Sequence, residues 1–302
     1  MIIILLLLIL SVLAADLITK EFVENLKKEV SWEVVEPEKN AFRGISKEKF
    51  QKMLMTTIPL ELRTSPSAIE DQPEEQSSPE DIPVRRGHAP LPRYFSWKDE
   101  YPECIHDGRE QGGECGGCWA FGIANHLSDR FCVWGRNVML SVQDLLECDK
   151  RSQCCDGGVD TNAYQFMMET GLVEERCRPY DEQCSMCRKS NCPRYKCKRN
   201  SVWFAAGIES AKREIYYNGP IQAVFNVYSD FTNYKSGIYY HRIGENLGIH
   251  TVEVLGWGVE DGMNYWLCKN SWGSDWGMDG FFKIKMGEVG MEKYMSSCIP
   301  EI

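Results

Sequence analysis

The sequence predicts an α+β protein whose mature part folds as two lobes, and the distribution of sequence patterns supports this. Residues 91–200 carry helical patterns and twelve of the fourteen cysteines, whereas residues 201–302 alternate apolar and polar side chains as strands do. A helical lobe that faces a β-rich lobe leaves a cleft between them, and ligand sites often form at such interfaces. We therefore expect the functional residues to lie where the two lobes meet.

Individual elements follow from the period of the apolar residues. Helices are expected at residues 119–127, 142–147 and 164–170. Strands are expected at residues 202–204, 221–228, 252–257, 265–268 and 281–285.

Three segments precede the mature part. Residues 1–15 are apolar apart from Ser11 and end in small residues, which is typical of a signal peptide, with an uncleaved anchor as the alternative. Residues 16–58 mix charge with periodic apolar side chains and predict one or two amphipathic helices. Residues 64–90 are rich in proline, serine and acids and predict an extended linker. Arg85-Arg86 in that linker is a candidate processing site, and the mature chain is expected to begin near Leu91.

Composition narrows the class of protein. The chain has 302 residues and a formal net charge of -10, with no block of basic residues, so nucleic acid is not an expected partner. Fourteen cysteines are typical of a disulfide-bonded protein of the secretory route.

A candidate nucleophile follows a loop rich in glycine and cysteine at residues 111–117. Cys118 stands directly before the apolar run that predicts the first helix, so its thiol lies at or next to a helix N-terminus. The unpaired N–H groups and the helix dipole there lower a thiol pKa and favour the thiolate, which is a nucleophile.

A candidate base and its orienting group occur in the β-rich half. His250 is one of five histidines and lies in a strand-like stretch that ends at a glycine turn. Asn270 follows twenty residues later, at the end of a second strand. Two adjacent strands would hold these residues side by side, and an amide oxygen on the imidazole N–H would fix its tautomer.

Several motifs together resemble the papain-like cysteine proteases. They are Cys-Gly-Gly-Cys-Trp-Ala-Phe at 115–121, Cys-Asp-Gly-Gly at 155–158, Gly-Ile-His at 248–250 and Asn-Ser-Trp-Gly at 270–273. Cys118 precedes His250 by 132 residues and Asn270 by 152, near the spacing of that family. Cys-Arg-Pro-Tyr at 177–180 and Asp-Trp-Gly at 275–277 are similar to its cathepsin B-like branch. The resemblance is strong from residue 91 to the end and weak over residues 16–90.

This resemblance implies a two-lobed papain-like fold and a zymogen in which residues 16–90 contain an inhibitory propeptide. The implied enzyme is a monomeric cysteine endopeptidase of a lysosome-like vacuole or the exterior, acting on proteins and peptides, with no cofactor and no metal. A thiolate–imidazolium couple would hold the thiol pKa at roughly 3–4. The implied site residues are Cys118 as nucleophile, His250 as its partner, Asn270 as the group that holds His250, Trp272 as the cover of that bond, Gln111 with the Cys118 N–H as the oxyanion hole, Gly157 and Gly158 as room for the substrate backbone, and Tyr294 at the base of a specificity pocket.

The resemblance also implies disulfide bonds. It pairs Cys104 with Cys132 and Cys115 with Cys155, joins Cys148 to one of the cysteines at 184–197, and gives Cys177 a nearby partner. Cys154, Cys268 and Cys298 have no assigned partner. Without Cys118 the remaining number is odd, so at least one further thiol is expected to stay free or to bond elsewhere. The alternatives are a redox dithiol at Cys115 and Cys118 and a zinc site formed by Cys184, Cys187, Cys192 and Cys197.

Two departures from the family pattern bear on activity. Gln111 lies seven residues before Cys118, one more than is usual, and Gly112 and Gly113 are expected to absorb the extra residue as a bulge. Otherwise the oxyanion glutamine is misplaced, and the chain is a catalytically impaired homologue that acts as a binding protein. The stretch from Cys177 to Cys197 contains no histidine, whereas cathepsin B carries two in its occluding loop. We therefore expect endopeptidase activity with weak or absent release of C-terminal dipeptides.

Overall fold

The computed structural model describes residues 16–54 and 90–302. The predicted signal peptide and most of the predicted linker, including Arg85-Arg86, lie outside the described residues. The helices are α1 (Lys20–Glu29), α2 (Lys47–Met53), α3 (Trp97–Glu100), α4 (Cys118–Val133), α5 (Val142–Cys148), α6 (Asp160–Glu169) and α7 (Ile208–Asn218). The strands are β1 (Glu33–Val34), β2 (Phe95–Ser96), β3 (Trp203–Phe204), β4 (Ile221–Tyr228), β5 (Tyr234–Ser236), β6 (Ile238–Tyr239), β7 (Asn246–Glu260), β8 (Met263–Lys269), β9 (Phe281–Lys285) and β10 (Met295–Ser297).

The segment before the mature part forms the two amphipathic helices that its apolar pattern predicts. Thr19 caps α1, because its hydroxyl accepts a hydrogen bond from the N–H of Phe22, and Ser46 caps α2 in the same way. The apolar faces of both helices are buried, and β1 pairs with β5 of the β-rich part. Residues 16–54 are therefore docked on the part of the chain that follows residue 90.

Helix α4 is the centre of the helical lobe. All sixteen of its residues are buried, and α5 and α6 pack against it. The helix continues six residues beyond the predicted end at Leu127 because polar residues there, including Asp129 and Arg130, are also buried.

An eight-stranded sheet forms the second half. Its order is β3-β10-β4-β7-β8-β9-β6, and β2 pairs with β7. The pairs are antiparallel except for β6 with β9. The long strand β7 at the centre pairs along one edge with β4 and along the other with β8, so the end of β8 is held close to the middle of β7.

The chain crosses between the two halves at both ends of the mature part. Phe95 and Trp97 pack in the buried cluster of the sheet, and the C-terminal Cys298 packs in the cluster of the helical lobe. Each buried cluster therefore contains residues from both halves, and the division expected near residue 200 stays a prediction. Helix α7 was not predicted, and it packs on β7.

Six disulfides form in the described chain. They are Cys104–Cys132, Cys115–Cys155, Cys148–Cys187, Cys154–Cys184, Cys177–Cys192 and Cys197–Cys298. The pairings implied by the resemblance are all present, and Cys154 and Cys298 gain partners. The dithiol reading is wrong because Cys115 is bonded to Cys155, and the zinc reading is wrong because each of its four cysteines is in a disulfide.

Cys118 and Cys268 are the two cysteines in no disulfide, and both are buried. No helix in residues 16–54 and 90–302 is long and apolar enough to cross a bilayer.

Candidate active site

The candidate nucleophile lies at the first turn of α4. Gly117 is the N-cap residue, and its carbonyl accepts hydrogen bonds from the N–H groups of Ala120 and Phe121. The first turn carries no acidic residue that would oppose the positive end of the helix dipole. The buried Cys118 thiol is thus placed where a helix N-terminus favours the thiolate.

His250 and Asn270 are brought together by the pairing of β7 and β8. The His250 Nε2–H donates to Asn270 Oδ1 at 2.8 Å, and this oxygen also accepts the Ser271 N–H at 2.8 Å. The Trp272 ring stacks on the imidazole, with 4.7 Å between ring centroids and 28° between planes. All three side chains are buried, so the hydrogen bond is closed off from water.

The nucleophile helix and the histidine strand approach closely at one point. A Cβ built on Gly122, one turn into α4, would lie 2.2 Å from Thr251 Cγ2, and Thr251 is the neighbour of His250. Only glycine permits this approach. His250 Nδ1 is buried and accepts or donates no hydrogen bond among the described residues. Of the two imidazole nitrogens, Nε2 is therefore engaged by Asn270 and Nδ1 is not engaged by the described residues.

Burial sets the titration of His250 in this state. Removal from water lowers the pKa of His250 to about 4, and the hydrogen bond to Asn270 acts in the opposite direction. The expected thiolate–imidazolium couple needs the charged imidazole, which this burial disfavours. A Cys118 thiolate would supply the opposite charge that favours the imidazolium.

Gln111 is buried and held at both ends. Its N–H donates to the Ser271 carbonyl at 2.9 Å, and its Oε1 accepts the Ser271 hydroxyl at 2.8 Å. Its own carbonyl accepts the Tyr180 hydroxyl at 2.7 Å. Gly112 has a φ of +69°, a backbone conformation that glycine adopts without strain, and absorption of the extra residue as a bulge stays a prediction.

Each glycine of the Cys-Asp-Gly-Gly motif is required for a different structural reason. Gly157 has a φ of +116°. A Cβ on Gly158 would lie 2.3 Å from the Trp119 ring, whose Nε1 donates to the Cys154 carbonyl at 3.0 Å.

Tyr294 is half-buried beside β10, and its carbonyl accepts the Val224 N–H at 2.9 Å. The substrate-binding roles of Gly157, Gly158 and Tyr294 stay predictions.

The segment before the mature part occupies the candidate site. The Met53 carbonyl at the end of α2 accepts the Gln111 Nε2–H at 2.9 Å. Phe42 and Phe50 meet the Trp272 ring edge-on, with centroids 5.1 and 5.4 Å away. The Gln111 side-chain amide and the Trp272 ring are therefore both contacted by this one segment.

Three buried ionisable side chains behind the site were missed by the sequence analysis. Lys269, next to Asn270, contacts Asp129 of α4 and lies 2.8 Å from Glu253 of β7. Burial disfavours the charged lysine, but the two carboxylates outweigh it and raise the Lys269 pKa. The sequence feature that could have indicated this cluster is Lys269, a charged residue that directly follows the apolar run at 265–268. Ser271 and Tyr180, the partners of Gln111, were also given no individual role, although both lie within recognised motifs.

Comparison with known proteins gives a consistent set of matches. The profile of the papain family cysteine proteases matches residues 91–299. The chain is 37% identical over 219 residues to "Cathepsin B-like CP3" of Giardia intestinalis, covering 67% of this chain and 72% of that one. It is also 37% identical over 235 residues to a "Gut-specific cysteine proteinase" of Caenorhabditis elegans, covering 66% and 70%.

Solved proenzymes share the fold. The structure titled "proCathepsin B S9 from Trypanosoma congolense" superposes with a TM-score of 0.80 at 29% identity, covering 95% of this chain and 99% of that one. Procathepsin L 3 of the Tenebrio molitor larval midgut superposes with a TM-score of 0.69 at 23% identity, covering 92% and 86%, which shows a likeness of fold alone.

Proposed function

The chain belongs to the papain family of cysteine proteases and is a peptidase of the cathepsin B type, and we propose that it is an endopeptidase made as a zymogen. Cys118 is the proposed nucleophile and His250 its proton carrier. The observation that carries this assignment is the hydrogen bond from His250 Nε2 to Asn270, which leaves Nδ1 for the thiol.

The reaction has two steps. Cys118 Sγ attacks the scissile carbonyl carbon, and the carbonyl oxygen takes up negative charge. His250 gives its proton to the leaving amine, which leaves a thioester on Cys118. Water that loses a proton to His250 then hydrolyses the thioester and restores the couple.

Gln111 Nε2 and the Cys118 N–H are the proposed donors to the oxyanion. The two hydrogen bonds between Gln111 and Ser271 orient the amide so that Nε2 points away from Ser271 and toward the carbonyl of Met53. A donor already aimed at a carbonyl oxygen is the arrangement that an oxyanion hole needs, and one such donor contributes roughly 10²–10³ in rate.

Residues 16–54 are the proposed inhibitory propeptide. The Met53 carbonyl takes the hydrogen bond that the substrate oxygen would need, and Phe42 and Phe50 close over Trp272. Such a segment must leave before a peptide can bind. The disulfides and the cathepsin-like relatives fit a secretory or lysosome-like route, and we propose a vacuole or the exterior as its end.

Weak or absent release of C-terminal dipeptides is proposed from the Cys177–Cys197 stretch. It contains no histidine to bind a C-terminal carboxylate, and Cys177–Cys192, Cys148–Cys187 and Cys154–Cys184 fasten it to itself and to the helical lobe. An internally quenched peptide with a free C-terminus and its amide should be cleaved at similar rates. Strong dependence on the free carboxylate would contradict the proposal.

The first test is covalent labelling of the processed protein with a peptidyl epoxide. We expect labelling at Cys118 that is lost in Cys118→Ala and falls roughly 100-fold or more in His250→Ala, because the thiolate loses its proton partner. Cys268→Ala is the matched control, since it removes the other buried thiol, and it should label like the wild type. A correctly processed wild type that does not label would favour the second candidate, a binding protein without catalysis.

A further inference from the structure

A tyrosine from the disulfide-linked segment reaches the loop of the oxyanion glutamine. The Tyr180 hydroxyl donates to the main-chain carbonyl of Gln111 at 2.7 Å. Tyr180 and Gln111 are 69 residues apart and belong to different loops. The contact therefore ties the Gln111 loop to the Cys177–Cys197 stretch.

The peptide group that this hydrogen bond fixes is the one most able to rotate. It joins Gln111 to Gly112, which has a positive φ of +69°. Glycine has no Cβ to oppose rotation of the preceding peptide plane. The two hydrogen bonds to Ser271 restrain the Gln111 N–H and side-chain oxygen, and the bond to Met53 is lost with the propeptide. The carbonyl is held by Tyr180.

Tyr180 is itself well fixed. Its N–H donates to Glu175 Oε1 at 2.8 Å, and its ring meets Phe121 edge-on with centroids 4.8 Å apart. Phe121 lies one turn from Cys118 in α4. Burial, with the nearby Glu182 carboxylate, raises the pKa of the Tyr180 phenol, so the hydroxyl stays a donor at working pH.

We propose that Tyr180 is a positioning residue for the oxyanion hole, because it spans the nucleophile helix and the Gln111–Gly112 peptide and sets the distance between the two donors. The proposal rests on the proposed function of Gln111 and extends it to a residue that does not touch substrate. Its effect is confined to the step in which the carbonyl oxygen becomes negative.

The test compares Tyr180→Phe with Tyr195→Phe in the processed enzyme. Both changes keep the ring and remove one hydroxyl from the same disulfide-linked segment, but the Tyr195 hydroxyl donates to Glu174 at 2.7 Å instead of to Gln111. Four quantities are measured: kcat, KM, the inhibition constant of a peptidyl aldehyde, and the rate of alkylation by a peptidyl epoxide. The aldehyde adduct carries an oxygen at the oxyanion position, whereas epoxide opening forms no tetrahedral carbon at a carbonyl.

For Tyr180→Phe we expect kcat to fall about 3- to 15-fold, the range of one neutral hydrogen bond, with KM changed less than about twofold. Aldehyde binding should weaken by a similar factor, and epoxide alkylation should stay at the wild-type rate. In a Gln111→Ala background the same change should have little further effect, since the two residues act as one unit. Tyr195→Phe should match the wild type throughout.

Three results would overturn the proposal. Tyr180→Phe could match Tyr195→Phe in kcat and aldehyde binding, which would show that the contact has no catalytic consequence. A parallel fall in kcat and epoxide alkylation would instead indicate a general disturbance at Cys118. An unreactive wild type would remove the proposed function as well, and this outcome is distinct because it appears before any Tyr180 variant is compared.

Discussion

Replacing Phe50 by alanine should open the zymogen far more than removing a charged contact of the same helix. Phe50 is fully buried and meets both Trp272 of the mature domain and Phe42 of the propeptide. Truncation of a buried phenylalanine costs about 3–5 kcal/mol. Part of that cost falls inside the propeptide, so we assign about 2–3 kcal/mol to docking, which is roughly a 30- to 150-fold larger open fraction.

Lys49→Ala is the matched control on the same helix. Its ammonium lies 2.5 Å from the Glu114 carboxylate, but the side chains are 46% and 70% exposed. Exposed ion pairs contribute little, so we expect a change of no more than about fivefold. Comparing the wild type with Lys49→Ala at low and at high salt would also show how strongly salt screens this ion pair.

The open fraction is measured as the rate at which the intact zymogen reacts with the epoxide probe at neutral pH, with gel analysis to verify that the chain is uncut. Only an opened molecule exposes Cys118, so the rate scales with the open fraction. If Phe50→Ala labels no faster than Lys49→Ala, aromatic packing on Trp272 does not hold the propeptide in place, and the reasoning is refuted.

Further expectations concern the groups around the site. Ser271→Ala removes the hydroxyl bonded to Gln111 and should lower kcat about 3- to 15-fold with KM nearly unchanged; equal kcat would contradict it. Lys269→Met leaves buried Asp129 without the lysine cation and with His106 as its remaining partner, and it should cost about 3–5 kcal/mol in urea unfolding; a cost under about 1 kcal/mol would argue against a structural role. In Cys118→Ala protein, Cys268 should resist iodoacetamide until unfolding, because burial raises its thiol pKa; alkylation of the native protein would show the reverse.

The residues of the candidate site could be proposed from the sequence because they sit in short linear motifs. Cys118 lies at the start of a helix, His250 lies in a strand and Asn270 directly follows one, and the local sequence indicates each of these elements. His250 meets Asn270 because β7 pairs with β8, and α4, which begins at Cys118, packs on β7. Strands β4 and β9 were also predicted with their observed ends, since each is rich in apolar residues and directly follows a proline or a glycine.

The parts that were not predictable depend on contacts between distant segments. Cys298 bonds to Cys197 across 101 residues, and nothing local to either cysteine specifies the other. Helix α7 buries only Ala211, Glu214 and Ile215, so its apolar stripe is too thin to stand out among strands. The bond between Tyr180 and Gln111 likewise joins two motifs that the sequence shows separately.

A last prediction uses His126, a second buried histidine that takes no part in the proposed chemistry. Its Nδ1 lies 2.7 Å from the Gly122 carbonyl, and burial lowers its pKa to about 3. The unfolded chain binds this proton near pH 6.5 and the folded chain does not, so the histidine costs stability as pH falls from 6.5 toward 3. At pH 5 the cost is about 2 kcal/mol, and at pH 7 it is close to zero.

The effect of His126 protonation on stability is measured by comparing His126→Leu with its parent. Both proteins carry Cys118→Ala, so the zymogen cannot cleave itself. Lost packing and hydrogen bonds affect the variant equally at both pH values, and other buried groups such as Glu253, whose pKa burial raises, cancel in the difference. Relative to its parent, the variant should therefore gain about 2 kcal/mol in free energy of unfolding between pH 7 and pH 5. If the difference between the two proteins is the same at both pH values, His126 takes up its proton in the folded state as readily as in the unfolded one, and the buried neutral imidazole is disproved.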